Sequence, residues 1–245
     1  MIRRHLALAA LLLAGCTAQS GTETGNPPIF ADVQVGLSVR AGDPAVARLP
    51  DGPGEGAVVE AAWIAVDRIR FVRGEVCDAP GEREYDLGGL SADLVSDPRI
   101  LSFEAEEGAY CRVRVELSPG EGAPGAPPSF VDRSVLLEGR RADGVPFTVA
   151  SRFGGRLDLR ARDGASFTLD QARGAVVIAF DVSAWLVSLD LDRAEVEAGR
   201  VLVDDEHNEA LLDAFDAAVE AALELHRDAD RDGRVDDDEE GPVEP

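Results

Sequence analysis

Between residues 31 and 203 the apolar side chains recur at every second position, and this period limits the chain to a small set of architectures. Val33, Val35, Leu37 and Val39 alternate with Gln34, Gly36, Ser38 and Arg40. Ile69 and Phe71 alternate with Arg68 and Arg70, and Cys111, Val113, Val115 and Leu117 with Tyr110, Arg112, Arg114 and Glu116. Phe147, Val149 and Phe153 continue the pattern, as do Leu157 and Leu159 against Arg156, Asp158 and Arg160. Side chains of an extended chain point alternately to its two faces, so such runs predict strands with one face in a core and one in water. Ala175 to Phe180 is apolar throughout and predicts a central strand covered on both faces.

Turn residues punctuate the runs. Asp143-Gly144 and Asp163-Gly164 stand between paired strand patterns, where tight hairpins need a residue that tolerates positive φ. The stretches 50–56 and 119–128 are Gly/Pro-rich loops. Seven or eight short strands with this spacing predict a mainly β fold, an antiparallel β-sandwich over residues 31–203 with one well-buried core.

The N-terminus supplies an address. Arg3 and Arg4 precede an apolar run, Leu6 to Leu13, far shorter than the roughly 20 residues a membrane-spanning helix requires. Residues 1–15 therefore read as an export signal. Leu13-Ala14-Gly15-Cys16 resembles the bacterial lipobox, in which the cysteine is lipidated and becomes the mature N-terminus. Thr17, in place of an aspartate, points to the outer membrane of a two-membrane cell. Residues 16–30, polar and rich in Gly, Thr and Pro, are expected to be a flexible tether.

Charge narrows the partners. The chain carries a formal charge of −23, and removal of residues 1–15, with two arginines and no acids, takes it to −25. Such a surface repels the phosphates of nucleic acid and anionic lipid, which argues against both as partners, and suits divalent cations. With Cys16 lipidated, Cys77 and Cys111 remain as an even pair in an oxidising compartment. A disulfide between them would close a loop of about 35 residues. Two free thiols are the other reading, and zinc is poorly served because neither cysteine has a second ligand nearby.

Three strand segments carry a resemblance. Trp63 to Phe71 (WIAVDRIRF), Gly108 to Leu117 (GAYCRVRVEL) and Val176 to Leu186 (VVIAFDVSAWL) are similar to strands of a bacterial surface lipoprotein family of unknown function. The TETGNPP phrase behind Cys16 looks like tethers of myxobacterial lipoproteins. The resemblance implies a transthyretin-like or immunoglobulin-like sandwich and a cell-envelope location, with no catalytic residue.

Residues 204–245 change period. Leu212, Phe215, Val219, Ala222 and Leu223 share one helical stripe, predicting a helix over about 205–227 that packs on the sandwich. Asp204, Asp205 and Glu206 suit its N-terminus, and His226 and Arg227 its C-terminus. The next twelve residues resemble an EF-hand calcium loop. Asp228, Asp230 and Asp232 stand at positions one, three and five, with Gly233 at the sharp turn. Arg234 offers a backbone carbonyl at seven, Val235 is the apolar eighth residue, and Asp236 and Glu239 fill nine and twelve. Acids occupy 17 of the 42 positions from 204 to 245, so isolated Asp pairs there mean little, but the glycine, valine and glutamate in register do not follow from acidity. Calcium is thus the expected cofactor. Gly241 and Pro242 follow directly, so no exit helix is expected, and affinity should fall near the ~10⁻⁴–10⁻³ M of extracellular modules.

No nucleophile elbow, zinc-helix or phosphate-cradling motif is present, and His207 and His226 both fall in the acidic C-terminal segment. The chain is therefore expected to be non-enzymatic: a lipid-anchored adhesion, envelope-assembly or ligand-binding module whose partner is an envelope protein or a polysaccharide. The alternative is a carbohydrate-binding or glycoside-hydrolysing protein, using Trp63, Tyr85, Tyr110 and Trp185 as a stacking platform beside paired acids, although such aromatics more often serve in core or edge packing. Arg68, Arg70, Arg112 and Arg114 read as a salt-bridged sheet face more readily than as an anion site.

Overall fold

The computed structural model describes residues 27–39, 47–48, 57–77, 83–96, 99–161, 164–235 and 243. The signal segment, Cys16, Asp163, Asp236 and Glu239 lie outside these residues. The first half of the chain forms β1 (Phe30–Val39), β2 (Ala47–Arg48), β3 (Val58–Arg73), β4 (Arg83–Asp86), β5 (Leu90–Asp93), β6 (Arg99–Glu106) and β7 (Gly108–Leu117). Then come β8 (Val135–Arg140), β9 (Pro146–Ser151), β10 (Gly155–Leu159), β11 (Phe167–Leu169) and β12 (Ala175–Phe180). The remainder alternates α1 (Val182–Ser188), β13 (Val196–Glu197), β14 (Arg200–Val203), α2 (Glu209–Ala221) and β15 (Leu223–Arg227).

The architecture is mainly β and sandwich-like. One sheet has the order β15-β12-β1-β6; the other runs β10-β7-β3-β8-β9-β14-β13, with β11 on β7 and β2, β4 and β5 on β3. Val33, Val35 and Leu37 of β1 meet Ile64, Phe71, Val113 and Val115 of the second sheet in one core cluster, all fully buried. Each such side chain contributes roughly 1.5–3 kcal/mol on leaving water. The period-two runs are therefore strands as their spacing required.

The sheets are not antiparallel throughout. β1 pairs parallel with β12, and β14 parallel with β9. Parallel neighbours need a long crossover, and both pairs join strands far apart in sequence, which alternation along a single strand cannot reveal. The Asp143-Gly144 turn does connect the antiparallel pair β8 and β9, with Gly144 at φ 82° and the Asp143 carboxylate accepting from the Val145 N–H. The segments flanking Asp163-Gly164 form no hairpin: β10 and β11 both pair with β7, one after the other along its edge.

Two further expectations fail locally. At Cys111 a β-bulge shifts the register between β3 and β7, so Tyr110 rather than Cys111 enters the main core beside Val113. The segment Val176 to Leu186 is a strand only as far as Phe180. Asp181 then caps α1, its side chain accepting the Ala184 N–H at 2.8 Å, and Val182, Trp185 and Leu186 turn inward at helical spacing.

Candidate metal loop and its surroundings

The expected C-terminal helix is shorter than its stripe suggested. α2 begins at Glu209 because the Asp204 carboxylate accepts the backbone N–H groups of Glu206 and His207, fixing a turn where helix was expected. It ends at Ala221, and Leu223–Arg227 pairs antiparallel with β12 as β15. Leu223 and Leu225 face the core two residues apart, a spacing a strand satisfies and a helix does not. Leu212, Phe215 and Val219 are buried as their stripe required, with Phe215 edge-on to Trp185 at 5.8 Å. His226 therefore sits on a strand, only 1 % exposed, with Nε2 3.2 Å from Glu224.

The acidic loop thus leaves a strand, not a helix, which removes the entering half of an EF-hand. Its own chemistry is nevertheless ordered. Asp228, only 4 % exposed, accepts the Asp232 N–H on one carboxylate oxygen and the Gly233 N–H on the other. Asp230 also accepts from Asp232 N–H, and Asp232 from Arg234 N–H at 2.8 Å. Asp228, Asp230 and Asp232 each bring a carboxylate oxygen within 4.8 Å of the others, a grouping that could hold a metal ion. Oxygen-only donors at this density match hard cations such as calcium rather than zinc. Asp236 and Glu239 lie outside the described residues, and Arg234 is placed here only by its backbone N–H.

The loop is seated on the outer face of the first sheet. Gly233 has φ 79°, a conformation that leaves little room for a side chain, and its backbone packs over Gly36 of β1. A Cβ added at Gly36 would stand 2.7 Å from the Gly233 Cα. Val235 closes the same face against Val177 and Ala179 of β12. This covering explains why Ser38 is buried although its place in the alternation put it in water. Arg227 and Arg231 donate to the carbonyls of Thr168, Arg173 and Gln171, anchoring the loop at its other side. Val243 returns to the main core, its N–H donating to Leu225 C=O at 2.8 Å.

Elsewhere the cysteine pair, the arginine face and the aromatics take structural places. Cys77 and Cys111 form a disulfide, with Cα atoms 5.4 Å apart. Arg68 pairs with Asp86, Arg70 with Glu84 and Glu116, Arg112 with Asp158, and Arg114 with Glu84 and Asp158. Arg112 and Arg114 are only 6 % and 7 % exposed, but their acid partners and the Arg68–Asp86 pair reach the surface, so this is a partly exposed ion-pair lattice whose arginines are already matched by acids. Tyr110 and Trp185 are fully buried, Trp63 lies tilted against Phe130 with ring centroids 5.7 Å apart, and Tyr85 packs against Tyr110. The four aromatics do not form one exposed platform. Burial raises the Tyr110 hydroxyl well above its ordinary range, and it donates to Glu106 C=O.

With that geometry in hand, known proteins add little. No protein-family model matches the sequence, and no curated protein matches it. The structure is similar to that of MbnP from Methylosinus trichosporium. The TM-score is 0.47 at 13% identity, with 82% of this chain and 99% of that chain covered. The lipoprotein resemblance accordingly rests on the sequence, in its lipobox, strand motifs and tether. No helix among the described residues is long and apolar enough to cross a membrane.

Proposed function

We propose that this chain is a non-enzymatic, lipid-anchored protein of the cell envelope. In this reading a structural calcium ion at the C-terminal loop stiffens it for adhesion, envelope assembly or ligand binding. The lipid would be carried by Cys16, at the outer membrane. The observation that carries the calcium reading is the Asp228, Asp230 and Asp232 grouping, held on a loop that the sheet itself seats through Gly36 and Val177. Asp236, Glu239 and the Arg234 carbonyl would complete an oxygen shell of the number calcium prefers. Because the loop follows a strand, the ion would clasp the C-terminal segment to the sheet instead of swinging helices apart, a structural role and not a switch. The carbohydrate reading loses its motivation, since Tyr110 and Trp185 lie in the core.

Limited proteolysis tests this directly. Calcium at millimolar concentration should protect residues 228–240 from cleavage, and magnesium should do so less well because it demands a tighter octahedral shell. Cleavage in this segment that is indifferent to calcium would remove the reading.

A further inference from the structure

At the far edge of the second sheet, β13 and β14 form a hairpin whose two turn residues, Ala198 and Gly199, both have positive φ. Two side chains tie this hairpin to the start of α2. The Asn208 amide accepts the Glu195 N–H and donates to Leu202 C=O, while Asn208 itself is held at φ 54°. The His207 ring lies between two carboxylates: Nδ1 is 2.8 Å from Asp204 Oδ1, and Nε2 is 3.2 Å from Glu197 Oε2 on β13. Glu206 and Glu195 line the same cleft.

The chemistry of imidazole makes this arrangement conditional. A neutral ring has one N–H and one lone pair, whereas both nitrogens donate only in the imidazolium. Two carboxylate acceptors, one at each nitrogen, are therefore satisfied together only when His207 is protonated. On deprotonation one carboxylate must face a lone pair. The Asp204 contact is the shorter and belongs to a carboxylate that already organises the turn through the Glu206 and His207 N–H groups. Glu197, whose side chain is 68 % exposed, is the partner free to leave.

We propose that His207 is a proton-operated latch that holds the β13–β14 hairpin against the N-terminal end of α2, closed while the imidazole is charged and open at Glu197 when it is neutral. The groups acting on it among the described residues are all acids: Asp204 first by its hydrogen bond, then Glu197 and Glu206 by charge. Together they hold the His207 proton above its ordinary value of 6.5, against desolvation, an opposing effect second in size only to the Asp204 hydrogen bond. The neighbouring Asp205 carboxylate is already engaged by Arg133 and Arg152. The latch is thus complete below about pH 6.5 and is lost as pH rises through the raised value.

The test is a pH titration of the full chain followed by NMR. The His207 ring carbons should titrate above 6.5, and the Glu197, Ala198, Gly199 and Arg200 amides should shift with the same midpoint. Amide exchange in the hairpin, corrected for intrinsic pH dependence, should quicken roughly two- to fivefold across that midpoint, the effect of one exposed ion pair. Glu197→Gln should lower the midpoint and remove the amide shifts, and His207→Gln should make hairpin exchange independent of pH. A His207 midpoint at or below 6.5 overturns the latch. So do hairpin amides that do not follow the ring, or a midpoint unmoved by Glu197→Gln.

Discussion

Replacing Gly36 by alanine isolates the contact that seats the acidic loop on the sheet. Gly36 lies within β1 and its φ is not positive, so β1 itself accepts alanine without strain. Were its outer face open, the substitution would stabilise the protein by about 0.4–1 kcal/mol through a less flexible unfolded chain. The loop reverses this sign. The new methyl group would lie 2.7 Å from both the Cα and the carbonyl oxygen of Gly233 and 2.9 Å from its carbonyl carbon. All three are backbone atoms that cannot rotate aside, so the loop must lift by about 1 Å to restore van der Waals contact. Overpacking of this kind costs about 2–3 kcal/mol, the upper part of the usual range. The net loss is then about 1–2.6 kcal/mol, equivalent to a fall in Tm of about 2–10 °C for a chain of this length. Scanning calorimetry reads the shift, and protease cleavage at residues 228–235 should become faster in the variant. A Tm that is unchanged or raised would refute the docking of Gly233 on Gly36.

Two further expectations follow from the packing and one from the N-terminal sequence. Replacing Cys77 and Cys111 together by serine should cost about 3–4 kcal/mol, the loop-closure value for a span of about 35 residues, as read by urea denaturation. Asp216 on α2 accepts a hydrogen bond from Ser151, and burial raises its carboxyl above 3.8. The folded state then takes up this proton before the unfolded chain does, so Asp216 costs stability above its raised pKa and the cost fades as pH falls through it. Asp216→Asn should therefore raise Tm near pH 7, an advantage that fades as pH falls and is gone below 3.8. Cys16→Ala should abolish metabolic labelling with palmitate and release the protein from the membrane fraction; unchanged labelling and fractionation would contradict lipid attachment there.

Much of the fold is legible in the residues because burial leaves a period. Val33, Val35 and Leu37, or Val113 and Val115, declare a strand wherever they stand. What they cannot declare is the direction of a neighbour far along the chain, and so the parallel pairing of β1 with β12 was hidden. The end of α2 is ambiguous in the sequence for a different reason. Val219 and Leu223 fit a helix and Leu223 and Leu225 fit a strand, and the open edge of β12 decided in favour of the strand. The signal for α1 was present in Asp181 followed by Val182, Trp185 and Leu186, but a run of apolar residues just before it concealed the cap. At the loop, the residue spacing located Asp228, Asp230 and Asp232 but could not show that Gly233 of the same loop packs on Gly36 of β1.

The central claim is that this loop takes one calcium ion, and calorimetric titration of the apo protein with calcium tests it most directly. Binding is expected at one site with a dissociation constant near ~10⁻⁴–10⁻³ M. About 5 mM calcium would then add about 1–2.3 kcal/mol of stability by mass action. Asp230→Asn and Asp232→Asn, both at exposed positions, should each weaken the binding without unfolding the sandwich. An absence of calcium-dependent heat up to several millimolar, or binding that ignores both substitutions, would contradict the account and leave the segment an acidic tail folded over the sheet.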